Sequence, residues 1–124
     1  MSMLGQAEPK QGLGMLDLGE AAAFARETLI IPGTSTALTA TVYNPSGSGG
    51  GASKAFITHE GANIRWWAAK SDDQTVLTPT EASGHLHRET DPPIVLESSS
   101  EITNFRALRV ETTGVSTLQA EYIH

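Results

Sequence analysis

The chain has 124 residues, 39% of them hydrophobic, with 14 acidic side chains against 8 basic ones and a formal net charge of −6. That length accommodates one domain with a modest core, and the low apolar fraction, with 12 Gly and 6 Pro, marks part of the chain as arm or linker. The acidic balance argues against a nucleic-acid partner, since no Lys/Arg patch is present to displace counterions; the absence of cysteine excludes disulfides and thiol chemistry; and no apolar run approaches the roughly 20 residues that span a bilayer.

The first 27 residues differ from the rest. Gly5, Gly12, Gly14 and Gly19 interrupt a scatter of apolar residues, Leu4, Leu13, Met15, Leu16 and Leu18. No cationic stretch followed by an apolar core opens the chain, so no secretion signal is expected and synthesis in a cytoplasm is. Glu20 to Arg26 has high helix propensity but is too short to be stable alone. The segment reads either as a frayed tail or as an arm that orders on a partner and buries its apolar residues there. Its spacing is not a heptad.

From Thr28 onward the pattern is that of short strands. Thr28 to Ile31 ends at the Pro32-Gly33 turn signal. Thr36 to Tyr43 alternates cleanly, with Leu38, Ala40 and Val42 on one face, and predicts a strand. Asn44 to Ser53 is a Gly/Ser loop; no Lys-Ser or Lys-Thr closes it as a phosphate cradle would require. Lys54 to His59 and Ala62 to Ala68 are the next strands, followed by a polar, irregular stretch from Lys70 to Ser83. Alternation puts Ile64 and Trp66 on one face and Arg65 and Trp67 on the other, so one Trp is expected in the core and the other at least partly exposed. Gly84 to Arg88 is short and extended, Asp91-Pro92-Pro93 forces a turn, and Ile94 to Glu97 is a strand ending in a polar turn at Ser98 to Ser100. Ile102 to Val110 and Val115 to Ile123 read as a β-hairpin about Thr113-Gly114. In the second of these runs Leu118, Ala120 and Tyr122 form one clean face. Seven or eight such strands imply an all-β fold, a small antiparallel β-sandwich or jelly roll over residues 28–124, with residues 1–27 as an extended N-terminal arm. The expected core is Leu38, Val42, Ile57, Ile64, Trp66, Leu96, Phe105, Leu108, Leu118 and Tyr122.

Little in the chain carries chemistry. His85 and His87 stand at i, i+2 with Glu89 beyond them, as in cupin-type metal barrels. The later strands supply no third His, so neither a metal nor a cofactor is expected, and the pair reads as exposed histidines satisfied by hydrogen bonds or water. Asp72-Asp73 lies in a polar loop and reads as a solvated turn. No Ser or Thr sits in a nucleophile elbow, and no triad can be assembled. No catalytic residue is assigned and no enzyme is expected. Trp66-Trp67 beside Arg65 could stack on a sugar ring or anchor a protein interface; otherwise one ring is core and the other is shielded by the loop.

Gly61, Ile64-Arg65-Trp66-Trp67, Pro79-Thr80, Gly84-His85 and Ile94-Val95-Leu96 are followed by Glu101-Ile102-Thr103-Asn104-Phe105-Arg106-Ala107-Leu108-Arg109 and by Ser116 to Tyr122. In this order and spacing the chain resembles a small β-sandwich domain of tailed-bacteriophage virion structural proteins, over roughly half its length. It departs from that pattern in Trp67, where a second Arg is usual, and in the long 70–83 loop. The resemblance implies a non-catalytic virion protein. A capsid decoration or cement protein on the capsid surface is favoured, with the major capsid protein as partner and self-association, a trimer among the options, but no nucleic acid or membrane. A tail or head-to-tail connector component is the alternative, then a carbohydrate-binding module for host attachment. The expected partner interface is Leu13, Met15, Leu16, Leu18 and Phe24 of the arm with Arg65 and Trp67.

Overall fold

The structure, a computed structural model, describes residues 23–47, 51–70 and 77–124. Its strands are β1 (Ala25–Ile30), β2 (Thr36–Ala37), β3 (Lys54–Gly61), β4 (Ile64–Trp67), β5 (His85–His87), β6 (Ile94–Leu96), β7 (Arg106–Arg109) and β8 (Ser116–Ile123). Two short helices join them, α1 (Ala40–Tyr43) and α2 (Ser99–Asn104). No helix among the described residues is long and apolar enough to cross a membrane.

The strands form two four-stranded sheets, in the orders β1-β8-β3-β6 and β2-β7-β4-β5, and every pairing is antiparallel. This is the strand order of a jelly roll. The ladders β4·β5, β3·β6, β2·β7 and β1·β8 nest one outside another, as in one long hairpin bent back on itself. The two remaining ladders, β3·β8 and β4·β7, close the sheets.

Period-2 patterning places the core between the sheets. On β8, Ser116, Leu118, Ala120 and Tyr122 are buried while Gln119 is exposed. On β3, Ala55, Ile57 and His59 face inward. Ile64, Ile94, Leu96, Ile102, Phe105 and Ala107 complete the centre, with Ile31 and Leu38 at one end. Eight of the ten expected core residues are buried; Val42 and Trp66 are half-buried and pack against the cluster. Full burial of an aliphatic or aromatic side chain contributes about 1.5–3 kcal/mol. Gly61, at the corner from β3 to β4, has φ +97°, and a Cβ there would lie 2.0 Å from the Val115 carbonyl oxygen. Only glycine lets these backbones meet.

Four expectations are corrected. Residues 102–110 and 115–123 do not form a hairpin: β7 and β8 lie in different sheets, and β8 pairs with β1 and β3. Ser98 to Asn104 is not turn and strand but the start and body of α2. Ser98 Oγ accepts from the Glu101 amide at 3.1 Å, and Glu101 Oε1 accepts from the Glu97 amide at 2.7 Å, so the helix start is satisfied by its own side chains. Thr36 to Tyr43 is a strand only over two residues before it coils into α1. The arm boundary moves back, because Ala25, Arg26 and Glu27 are already paired with Tyr122, Glu121 and Ala120 of β8. That pairing also overrides the helix propensity of Ala25-Arg26.

Candidate functional site

The surface predicted for partner binding lies at the β4–β5 edge. Trp66 and His85 are cross-strand neighbours, and their rings lie 4.7 Å apart; the His85 ring also lies 4.8 Å from that of Trp67, edge-on. Trp66 continues inward to stack on Phe105 at 5.9 Å. Both indoles are half-buried, so the expected division into one core and one exposed Trp resolves into two rings sharing one histidine. Arg65 reaches along the outside of the sheet: its Nε donates to the Glu81 carbonyl and its Nη1 to the Gly84 carbonyl, both at 2.9 Å. Gly84, at φ +116°, makes this possible, since a Cβ there would press on Pro79, Arg65 and the Trp66 carbonyl at 3.1–3.3 Å. The guanidinium thus fastens the Glu81–Gly84 turn to β4.

The second site is the base of the arm. Phe24 donates its amide to the Tyr122 carbonyl at 2.9 Å, and its ring stacks on His124 at a centroid distance of 3.9 Å. Next to it Glu27, on the inward side of an edge strand, accepts from the Tyr122 hydroxyl and from the Thr39 amide. Burial pushes the Tyr122 phenol well above the ordinary tyrosine range, and the bond to Glu27 adds to this. Glu27 satisfies the first turn of α1 and places a charge where another chain would otherwise extend the sheet. Leu13, Met15, Leu16 and Leu18 lie outside the described residues, as does Asp72-Asp73.

A third cluster was not foreseen in the sequence. His59 of β3 and His87 of β5 are both buried, and their Nδ1 atoms lie 2.8 Å apart. His87 Nε2 lies 2.7 Å from the Pro92 carbonyl oxygen, while His59 Nε2 is buried without a hydrogen-bond partner. Burial pushes the His59 imidazole below the ordinary histidine range and His87 adds to this; Glu89, the Ala62 carbonyl and Asp91 act in the opposite direction. Glu89 accepts from the Gly61 amide at 3.3 Å. The expectation that His87 is an exposed residue is therefore corrected. His85 and His87 stand on the same side of β5, but His85 stays exposed against the indoles while His87 is buried against His59. Among the described residues no three His, Asp or Glu side chains converge as metal ligands. The sequence signal for this pair was weak: His59 alternates in phase with Ala55 and Ile57, which marks it as inward-facing, but nothing local names a partner 28 residues away.

A cleft of about 450 Å³ lies between α1, the start of β3 and α2, lined by Tyr43, Asn44, Ser53, Ser99 and Thr103 among others. Among the described residues its lining holds no carboxylate or imidazole. No protein-family model, curated protein or solved structure matches the chain.

Proposed function

We propose that the protein is a structural component of a tailed-bacteriophage virion, a decoration or cement protein that binds neighbouring major capsid subunits. The reading rests on the residue pattern from Gly61 to Tyr122, and one structural observation supports it above the others. Residues 1–22 join the body at the base of β1, an edge strand whose first turns of chain are pinned by Phe24 and Glu27. An apolar segment fastened at a rigid rim suits a clamp that reaches a neighbouring subunit. Jelly rolls recur in viral capsid domains, lectins and cupins, so the fold is compatible with this role without selecting it. The carbohydrate-binding reading has less support, because His85 lies against both indoles and Arg65 is engaged with its own chain.

The test is co-sedimentation with capsids lacking the protein. Full-length chain should bind, and chain lacking residues 1–22 should remain folded and lose binding. Equal binding by both removes the arm from the interface and with it the cement reading. Labelling confined to the neck or tail moves the protein to the connector class. Glycan binding without particle binding replaces the virion reading altogether.

A further inference from the structure

The His59–His87 pair joins the two sheets where the chain crosses between them. His59 is on β3 of the first sheet, and His87 is on β5, the edge strand of the second. Pro92, whose carbonyl meets His87, lies in the connection that carries the chain from β5 back to β6. The strand β5 has three residues and pairs only with β4. Hydrogen bonds to the first sheet run through this pair and, just beyond the strand, through Glu89 to the Gly61 amide.

Counting protons fixes what the pair can hold. A carbonyl oxygen only accepts, so His87 Nε2 carries hydrogen. With that ring neutral, its Nδ1 bears a lone pair, and the 2.8 Å contact requires His59 Nδ1–H as donor. Neutral His59 then presents a bare Nε2 lone pair to a buried site with no donor. One added proton fits at that Nε2, where the Ala62 carbonyl, already accepting from Ser116 Oγ at 2.6 Å, favours it. A second added proton has only His87 Nδ1 to occupy. It would set N–H against N–H and two cations at 2.8 Å in a buried site, which neither hydrogen bonding nor Coulomb's law tolerates. Among the described residues the carboxylates that act on His59 are Glu89 and Asp91, from the connection after β5. Leu118 and Ile64, the cross-strand neighbours of His59 and His87, are uncharged.

We propose that His59 and His87 form an acid-sensitive latch: protonation of both rings breaks the Nδ1–Nδ1 contact and releases β5, with the 88–93 connection, from β3. The unfolded or released rings take up protons near the ordinary value of about 6.5. The folded His59 resists its proton, so the latch is intact above that range and weakens as the pH falls below it. Glu89 and Asp91 soften this by favouring the first proton and leave the second as the one that opens the contact.

The experiment is NMR on the uniformly labelled full chain, as wild type and as His59→Gln. At pH 8 the imidazole ¹⁵N shifts should show His87 protonated on Nε2 and His59 on Nδ1, the less common tautomer. Between pH 7.5 and 5.5 the amide protection of His85 and His87, corrected for intrinsic exchange, should fall by at least tenfold, while that of Ile57 and Ala120 in the first sheet stays within about twofold. His59→Gln, which removes one of the two protonation sites, should flatten the pH dependence at His87. Both rings protonated on Nε2 at pH 8, or constant β5 protection through pH 5.5, would overturn the latch. So would a folded His59→Gln variant with the full pH dependence.

Discussion

Phe105 ends α2 and begins the approach to β7, and its ring is enclosed between the sheets against Trp66. Truncation leaves a cavity that rigid strands on both sides cannot close. Phe105→Ala is expected to lower the unfolding free energy by about 3–5 kcal/mol in a denaturant titration, much of the whole stability of a domain this small. A loss below about 1 kcal/mol would take the ring out of the core. Tyr122 gives a pH dependence of opposite sense to the latch. Its folded phenol ionises far less readily than an unfolded tyrosine, whose value is about 10. Its contribution is therefore fully present below pH 10 and is lost as the pH rises above it. The melting temperature of the wild type should fall more steeply between pH 9 and 11 than that of Tyr122→Phe, and equal slopes would show that the hydroxyl is not sequestered.

At the level of elements, the boundary of β1 decides how much of the N-terminus is dispensable to the fold. Removing residues 1–22 leaves every β1·β8 pairing in place. Removing residues 1–27 takes Ala25, Arg26 and Glu27 out of the ladder and orphans the Tyr122 hydroxyl and the Thr39 amide. Each bond lost to the Glu27 carboxylate should cost about 1.5–3 kcal/mol. Circular dichroism melts should show the shorter deletion close to wild type and the longer one well below it. What was legible in the sequence follows the same physics. β8 and β3 were readable because each has one face against the core, so alternation and burial coincide. The equally clean alternation of Thr36 to Tyr43 misled, because side-chain period says nothing of whether a partner strand extends that far; past Ala37 the chain coils and Glu27 supplies the bond the Thr39 amide needs. The helix α2 was missed, because Ser98 to Ser100 read as a turn and the apolar run after it as a strand, although Ser98-x-x-Glu101 has capping-box spacing. The histidine pair depends on two strands in different sheets, information no local window contains.

For the molecule as a whole, the sequence defined strands and inward faces but not neighbours. Proximity along the chain suggested that the last two strands pair, yet among the described residues β4 and β5 are the only consecutive strands that share a ladder. The nested pairing has a topological consequence. Cut the chain between residues 70 and 77, and β1 to β4 fall in one piece and β5 to β8 in the other. The ladders β1·β8, β3·β8, β3·β6, β2·β7, β4·β7 and β4·β5 then each join one piece to the other. Among the described strands neither fragment keeps a ladder of its own; the isolated Thr80↔Ser83 bridge is the one pairing internal to the second. Expressed separately, residues 1–70 and 77–124 should show no cooperative melt; expressed together, they should assemble into a one-to-one complex that melts cooperatively, and a folded lone fragment would contradict the topology. The same bipartite wiring means that two intact chains can trade halves without losing any ladder, so exchange of residues 77–124 between two copies would give an intertwined dimer with the monomer's own contacts.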